Sequence, residues 1–338
     1  MIDGNIKGEL MHQFSLYNKQ CRESIFNGHD FLITEVGVSN EDKTRLGVNC
    51  NGYGRIRVFQ RSKESDWVNN PLPFNPYANS MGKGVMDELP VQVFQVAKCN
   101  LNCWWCFIPD EFKTIKNNHN KWFSVEELLE LYLRDGKQYA SIIDLSGGNP
   151  ELVPEFVLQF MLGIEKLNLK NDIYLWSDDV LTTDYLFTKL TPDQIDYMAQ
   201  YRQYGKVACF KGIDDESYCF NTNSQYSLLD EQIKNAKAYI DKGFDIYFYV
   251  VLTLEDLHCV NRRISDFINK LQKISYYLPL RVVPIKIKRF ATNEHRLSLI
   301  RENAIDTQQE VLAAWQEEIS KRYNSHEISK DISLISLR

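Results

Sequence analysis

The 338-residue sequence has no apolar run long enough to cross a bilayer. Its most apolar stretch, Phe244 to Leu254, is about half of the roughly 20 residues a spanning helix needs. A helical membrane protein is thereby excluded, and no membrane partner is expected. The opening Met1-Ile2-Asp3-Gly4 has no basic segment followed by an apolar run, so no secretory signal is read there. The expected compartment is therefore the cytoplasm. In that reducing setting the eight cysteines are expected as thiols or metal ligands rather than disulfides. A basic excess is also missing. The net charge of −6 argues against a nucleic-acid partner, which usually requires a basic face. No repeat or low-complexity tract appears. What remains is ordinary for a folded chain: 44% hydrophobic and 25% charged residues suit one large α/β domain or one domain with extensions. The 18 Tyr and 18 Phe supply large rings for a core or a cleft.

Residues 1–90 read as a small β-rich extension. Short strand-like runs, Phe31 to Val38 and Arg55 to Gln60, alternate with polar turns such as Asn49 to Gly54. A Pro/Asn-rich stretch, Asn69 to Pro76, and Met81-Gly82-Lys83-Gly84 read as loops. From about residue 91 strands and helices alternate. Strands are expected at Val91–Ala97, Ser141–Leu145, Asp172–Trp176, Lys206–Phe210, Phe244–Leu252 and Arg281–Ile287. Helices are expected between them. One opens on the capping box Ser124-Val125-Glu126-Glu127, and another ends at Gly243. A last helix is expected from about Asp306 to Lys321. Six βα units in a row predict an α/β fold: a parallel sheet with outer helices, curled into a partial (β/α)6 TIM-like barrel over residues 91–290. Residues 291–338 form a C-terminal helical segment. Chemistry in such folds sits at the C-terminal ends of the strands.

Three cysteines cluster directly after the first of these strands, in Cys99-Asn100-Leu101-Asn102-Cys103-Trp104-Trp105-Cys106. Three thiolates on one tight loop can hold three corners of an iron–sulfur cubane and leave the fourth iron open to another ligand. The competing reading is structural zinc, which normally takes four closed ligands; the nearest fourth is His119, thirteen residues on. The other five cysteines form no second cluster, so auxiliary iron–sulfur clusters are not expected. After the second strand comes Ser146-Gly147-Gly148-Asn149-Pro150, where glycines let the main chain approach a ligand closely.

The Cys-x3-Cys-x2-Cys spacing, with aromatic Trp105 before the third cysteine, resembles the signature of the radical S-adenosylmethionine (radical SAM) superfamily. Ser146, Gly147, Gly148 and Asn149 resemble its Gly-Gly-Glu-Pro segment, with Asn149 in place of Glu. Two weaker likenesses follow. Ser177 and Asp178, after the third strand, are similar to a segment that helps hold SAM; a helix N-cap is the alternative. Cys209-Phe210-Lys211-Gly212 looks like a segment of the pyruvate formate-lyase-activating-enzyme branch, in which Lys211 would approach the SAM carboxylate. A solvated surface lysine is the alternative. The Asp of that segment, which serves a cation site in the branch, is here Cys209.

The resemblance covers roughly residues 91–290. It implies a [4Fe–4S] cluster on Cys99, Cys103 and Cys106, with SAM as second cofactor. Reductive cleavage of SAM would release a 5′-deoxyadenosyl radical that abstracts hydrogen from a small-molecule, protein or peptide substrate. An external one-electron donor such as flavodoxin or ferredoxin is implied. Adenine contacts fall at Val251 and Thr253. Trp104, Trp176, Phe210 and Tyr249 could line a dry cavity or simply fill the core, and Lys286, Lys288 and Arg289 could face an anionic substrate or simply form a solvated strand end. Cys219, which follows the fourth strand, is read as a buried thiol. The reading from a different class is a non-catalytic iron–sulfur or zinc-binding redox or sensor module.

Overall fold

From Glu88 onward the strands of the main sheet bury both faces, as strands lying between a barrel interior and an outer helix layer must. The computed structural model describes residues 4–38, 47–61, 67–84, 86–113, 115 and 119–338. The chain opens with α1 (Gly4–Ile25), followed by β1 (Phe31–Thr34), β2 (Val48–Asn49), β3 (Gly54–Gln60), α2 (Phe74–Met81) and β4 (Glu88–Phe94). Strand β5 (Asn120–Phe123) pairs antiparallel with β1 in a two-stranded ribbon. Alternation then sets in with α3 (Val125–Asp135), β6 (Ile142–Leu145), α4 (Glu155–Lys166) and β7 (Tyr174–Asp179). Helices α5 (Tyr185–Lys189) and α6 (Pro192–Ala199) precede β8 (Tyr204–Phe210). Helices α7 (Asp215–Thr222) and α8 (Leu229–Lys242) precede β9 (Ile246–Val251), and α9 (Val260–Gln272) precedes β10 (Val282–Ile285). Helices α10 (Leu299–Arg322) and α11 (Ser325–Ile328) follow.

The main sheet has the order β10-β9-β8-β7-β6-β4-β3-β2. Six strands, β4 and β6 to β10, are mutually parallel, and β3 and β2 continue the sheet antiparallel. The sheet is thus the expected partial (β/α)6 TIM-like barrel with two added strands. Local signals set the boundaries as read from the sequence. Ser124 and Glu127 exchange reciprocal hydrogen bonds at the start of α3, and Gly243 ends α8 in the left-handed conformation at φ 95°.

Two cores flank the sheet. The inner one joins Val91, Val93, Ile142, Tyr174, Trp176, Val207 and Tyr247 with Phe74 and Tyr77 of α2. Helix α2 therefore plugs the end where the strands begin. The outer core packs Leu145, Leu175, Phe210 and Phe248 against the helices. No helix among the described residues is long and apolar enough to cross a membrane.

The first 90 residues depart from the β-rich description. They open with the 22-residue α1, and α2 occupies part of a stretch read as loop. Helix α1 turns Met11, Phe14, Asn18, Cys21 and Ile25 toward the protein at helical spacing. That stripe contains an amide and a thiol, so its apolar periodicity is weak. Nor is the region separate in space, because β3 is a strand of the main sheet. The last long helix also begins seven residues before the expected Asp306, at Leu299.

Candidate active site

A cavity of about 370 Å³ opens at the C-terminal ends of the parallel strands. Its wall carries Cys99, Cys103 and Cys106 from the loop after β4, and Ser146, Gly147 and Gly148 from the loop after β6. Asp178 at the end of β7, Cys209 and Lys211 from β8 and just beyond, and Tyr249 of β9 complete the ring. Residues scattered over 150 positions of sequence meet because parallel strands present the same end to one side.

The two glycines are required by shape. Gly147 and Gly148 adopt φ of 93° and 66°, the left-handed region. A Cβ on Gly148 would lie 2.4 Å from the Val96 carbonyl oxygen and 2.6 Å from that of Lys98. The glycine loop thus rests directly on the segment between β4 and the cysteines. Asn149 strengthens this seam: its N–H donates to the Lys98 carbonyl at 2.8 Å, and its side-chain amide donates to Asn100 Oδ1 at 2.9 Å. Asn100 in turn donates to Asn18 of α1 and to Thr182, each at 2.8 Å. Asn149 therefore lies behind the cavity wall, as a brace between the two loops.

Lys211 is 6% exposed, which removes the solvated-lysine alternative. Its ammonium lies 5.0 Å from the centre of the Trp105 ring and faces the thiols of Cys209, Cys103 and Cys99. Burial pushes the Cys103 thiol up to about 12, with Lys211 acting against it. A thiolate there at neutral pH needs a strong positive partner such as iron. Asp178 accepts from Ser146 Oγ at 2.5 Å, inside strand β7 rather than at a helix N-cap.

Other expected residues lie elsewhere. Ser177 faces the opposite side of the sheet and pairs with the Tyr204 hydroxyl at 2.8 Å. Val251 packs with Trp104, Ile287 and Ile305, and Thr253 interlocks with Asn221; neither is among the residues lining the cavity. Trp176 and Tyr249 line it, whereas Trp104 and Phe210 are core. Lys286 and Lys288 line it, and Arg289 pairs with Asp306 at 2.8 Å. Cys219 borders a different, open pocket.

Four features escaped sequence reasoning. Arg57 and Phe59 of β3 and Asn70 reach the cavity from the N-terminal region. Asp144 of β6 points into it, 2% exposed; burial and then the charge of Asp178 push its carboxyl well above the usual range, against Arg57 and Arg55. Between sheet and helices, fully buried Lys206 pairs with Glu151 and lies 3.7 Å from Asp179. Finally, the segment after β10 grips the cysteine loop by its carbonyls. Thr292 binds that of Phe107, Asn293 that of Trp105, and Arg296 those of Cys106 and Ile108. Only the alternation of acidic and apolar residues in Ile143-Asp144-Leu145 hinted at any of these.

The donor set can be weighed against the two metal readings. A mononuclear zinc, with bonds of about 2.3 Å to sulfur, needs its ligands gathered round one point. Among the described residues no three His, Cys, Asp or Glu side chains gather so. His119 lies beside Glu35 at 3.5 Å and is not among the lining residues. The Cys-x3-Cys-x2-Cys loop brings three thiols to one cavity, and a cubane takes each thiol at a different iron.

Comparison with known proteins bears on the same residues. The family model described as the Radical SAM superfamily matches residues 96–265, half of the chain. A 7-carboxy-7-deazaguanine synthase from Haemophilus influenzae is 27% identical over 172 residues, covering 48% of this chain and 71% of that protein. Among solved structures, Streptococcus suis SuiB bound to S-adenosylmethionine aligns at 15% identity and a TM-score of 0.42, over 70% of this chain and 55% of its own. A spore photoproduct lyase with bound AdoMet aligns at 9% and 0.43, over 68% and 72%. The chain spans about half the length of SuiB.

Proposed function

This chain belongs to the radical SAM superfamily, and on that premise we propose that Cys99, Cys103 and Cys106 hold its cluster while the cavity beside them positions SAM against a small-molecule substrate. The chain is an enzyme of SAM-dependent radical chemistry, and its cofactors are a [4Fe–4S] cluster and SAM. Held by Cys99, Cys103 and Cys106, the cluster would supply one-electron reduction, and SAM would supply the radical source for hydrogen abstraction from the substrate.

The chain's own residues do the positioning. Backbone carbonyls of the Ser146-Gly147-Gly148 loop accept from the amino group of SAM. Lys211 meets its carboxylate and, being buried, does so at full strength. Trp105, whose Nε1 finds no partner among the described residues, closes the same end. Asp178, held by Ser146, faces the nucleoside. Trp176, Tyr249 and Phe59 keep water from the radical. Residues 91–290 form the reacting core. Residues 1–90 complete the cavity, and residues 291–338 brace the cysteine loop.

A small-molecule substrate is favoured by the aromatic and charged side chains Phe59, Tyr249 and Arg57, which share the cavity with the cysteine loop. The relative named as a synthase of a small heterocycle points the same way. The electron donor is a flavodoxin or ferredoxin of the cytoplasm.

The carrying observation is that three thiols and the glycine loop open into one cavity. Anaerobic reconstitution, iron analysis and a SAM-cleavage assay with dithionite test the reading. The expected result is about four irons per chain and formation of 5′-deoxyadenosine, both lost in Cys103→Ala. Zinc in place of iron, or no 5′-deoxyadenosine from iron-loaded protein, overturns it.

A further inference from the structure

The cavity wall has a second patch, chemically unlike the cysteine loop. It is built by Asp144, Arg57, Asn70, Tyr249, Trp176 and the two phenylalanines Phe59 and Phe107. Asp144 lies opposite Val93 and Trp176 in the sheet, so its carboxyl points into the barrel. It is 2% exposed, and its Oδ1 finds no hydrogen-bond partner among the described residues. A buried oxygen without a partner costs about 1–3 kcal/mol. Here it faces a cavity, where an incoming donor can remove that cost. Its neighbour Asp178 is already engaged by Ser146. Tyr249 is likewise fixed, its hydroxyl accepting from Asn70 Nδ2 at 3.0 Å.

Arg57 supplies the opposite charge. Its guanidinium lies 4.5 Å from the ring centre of Phe59 and 5.5 Å from that of Phe107. Two aromatic rings flank the guanidinium, whose N–H groups can fork onto an anion. Arg57 and Asp144 line the same cavity, and the charge of Arg57 is felt at Asp144, Asp178 and Tyr249. Aromatic side chains form the walls between. Such walls suit a flat ring better than a peptide backbone. Arg57, Phe59 and Asn70 also lie outside residues 96–265, the part the family model matches. The Arg57 pole is therefore contributed from outside the matched core, whereas Asp144 lies within it.

We propose that Asp144 and Arg57 are the two recognition poles for the substrate, a flat small molecule with an amidine-type N–H edge for Asp144 and an acidic group for Arg57. The proposal rests on the reading above that the cavity takes SAM beside the cysteine loop. A carboxyl pairs with an amidine edge through both oxygens, either accepting two N–H bonds when ionised or accepting one and donating its O–H to the amidine nitrogen when neutral, and an arginine receives a carboxylate through two parallel N–H bonds. SAM itself carries an ammonium, a carboxylate and an amino-purine, so its own binding must be tested as the competing source.

Calorimetry on the anaerobically reconstituted holoenzyme uses three probes: 4-amidinobenzoate, benzamidine and benzoate. In the wild type, 4-amidinobenzoate binds at least tenfold tighter than either half. Asp144→Asn weakens both amidines at least tenfold and leaves benzoate alone. Arg57→Gln weakens both carboxylates at least tenfold and leaves benzamidine alone. SAM affinity stays within twofold in all three proteins. Equal binding of the three probes by the wild type overturns the proposal, whether or not a variant folds. So does unchanged amidine binding by Asp144→Asn, or a loss of SAM affinity in step with the probes. The SAM-cleavage assay is separate: its failure beside intact probe discrimination sinks the SAM reading and leaves the poles standing.

Discussion

The guanidinium of Arg296 donates a 2.7 Å hydrogen bond to the carbonyl oxygen of Cys106, from 190 residues away in sequence. The same group reaches the Ile108 carbonyl at 2.9 Å, and Asp110 holds it from the far side at 3.0 Å. The end of the cysteine loop is thereby tied to the segment after β10. Replacing Arg296 by Ala should lower stability by about 2–4 kcal/mol, since hydrogen bonds to charged groups contribute about 1.5–3 each. Iron should be lost faster to a chelator. Arg296→Lys should not restore retention, because one ammonium cannot fork to two carbonyls. Urea melts and iron release over time check this; wild-type retention in Arg296→Ala refutes it.

Gly148→Ala should abolish SAM binding and cost about 1–3 kcal/mol in stability, the usual range for a strained backbone position. The new methyl meets two carbonyl oxygens, neither of which can swing aside. Gly84→Ala is the control, because a methyl there meets nothing within 4 Å. Equilibrium dialysis with labelled SAM should show at least a tenfold loss for the first and none for the second.

Lys206 sits fully buried between Glu151 and Asp179, with the Tyr239 hydroxyl donating to Glu151 at 3.0 Å. Lys206→Met leaves two carboxylates in a dry interior and should cost about 3–5 kcal/mol. The double change Lys206→Met with Glu151→Leu should recover part of that loss. Thermal unfolding of the three proteins decides it; equal melting of the single and double variants would exclude the charge explanation.

Asp214 caps α7 and pairs with Arg263 at 2.5 Å. Burial alone would raise its carboxyl, but Arg263 and Ser217 outweigh burial and hold it below the ordinary value. A lowered folded value means the stabilisation is complete above the unfolded value, about 3.9. It is lost as pH falls through the lower folded value. Asp214→Asn should therefore be less stable than wild type at pH 7, with the gap closing toward pH 3. Urea midpoints across that range provide the measurement, and a gap independent of pH speaks against it.

Much of the architecture was legible because it is written in local patterns. Six short apolar runs separated by helical periods required a parallel sheet. Cys99, Cys103 and Cys106 follow the first run closely enough to be placed at its C-terminal end. Gly147 and Gly148 could be read as a close backbone approach, although not that the surface approached is the chain leading into Cys99. Helix α1 was not legible, since Asn18 and Cys21 interrupt its apolar stripe.

What the linear order of residues determined was the set of chemical parts and the strand end at which most of them emerge, because spacing and alternation act over a few residues. Only the folded chain decided which distant groups face one another. It brought Arg57 to Asp144, Arg296 to Cys106 and Lys206 to Glu151, and it left Val251 and Thr253 out of the cavity lining. Those choices depend on register and on the packing of whole elements, and no short window of sequence carries that information.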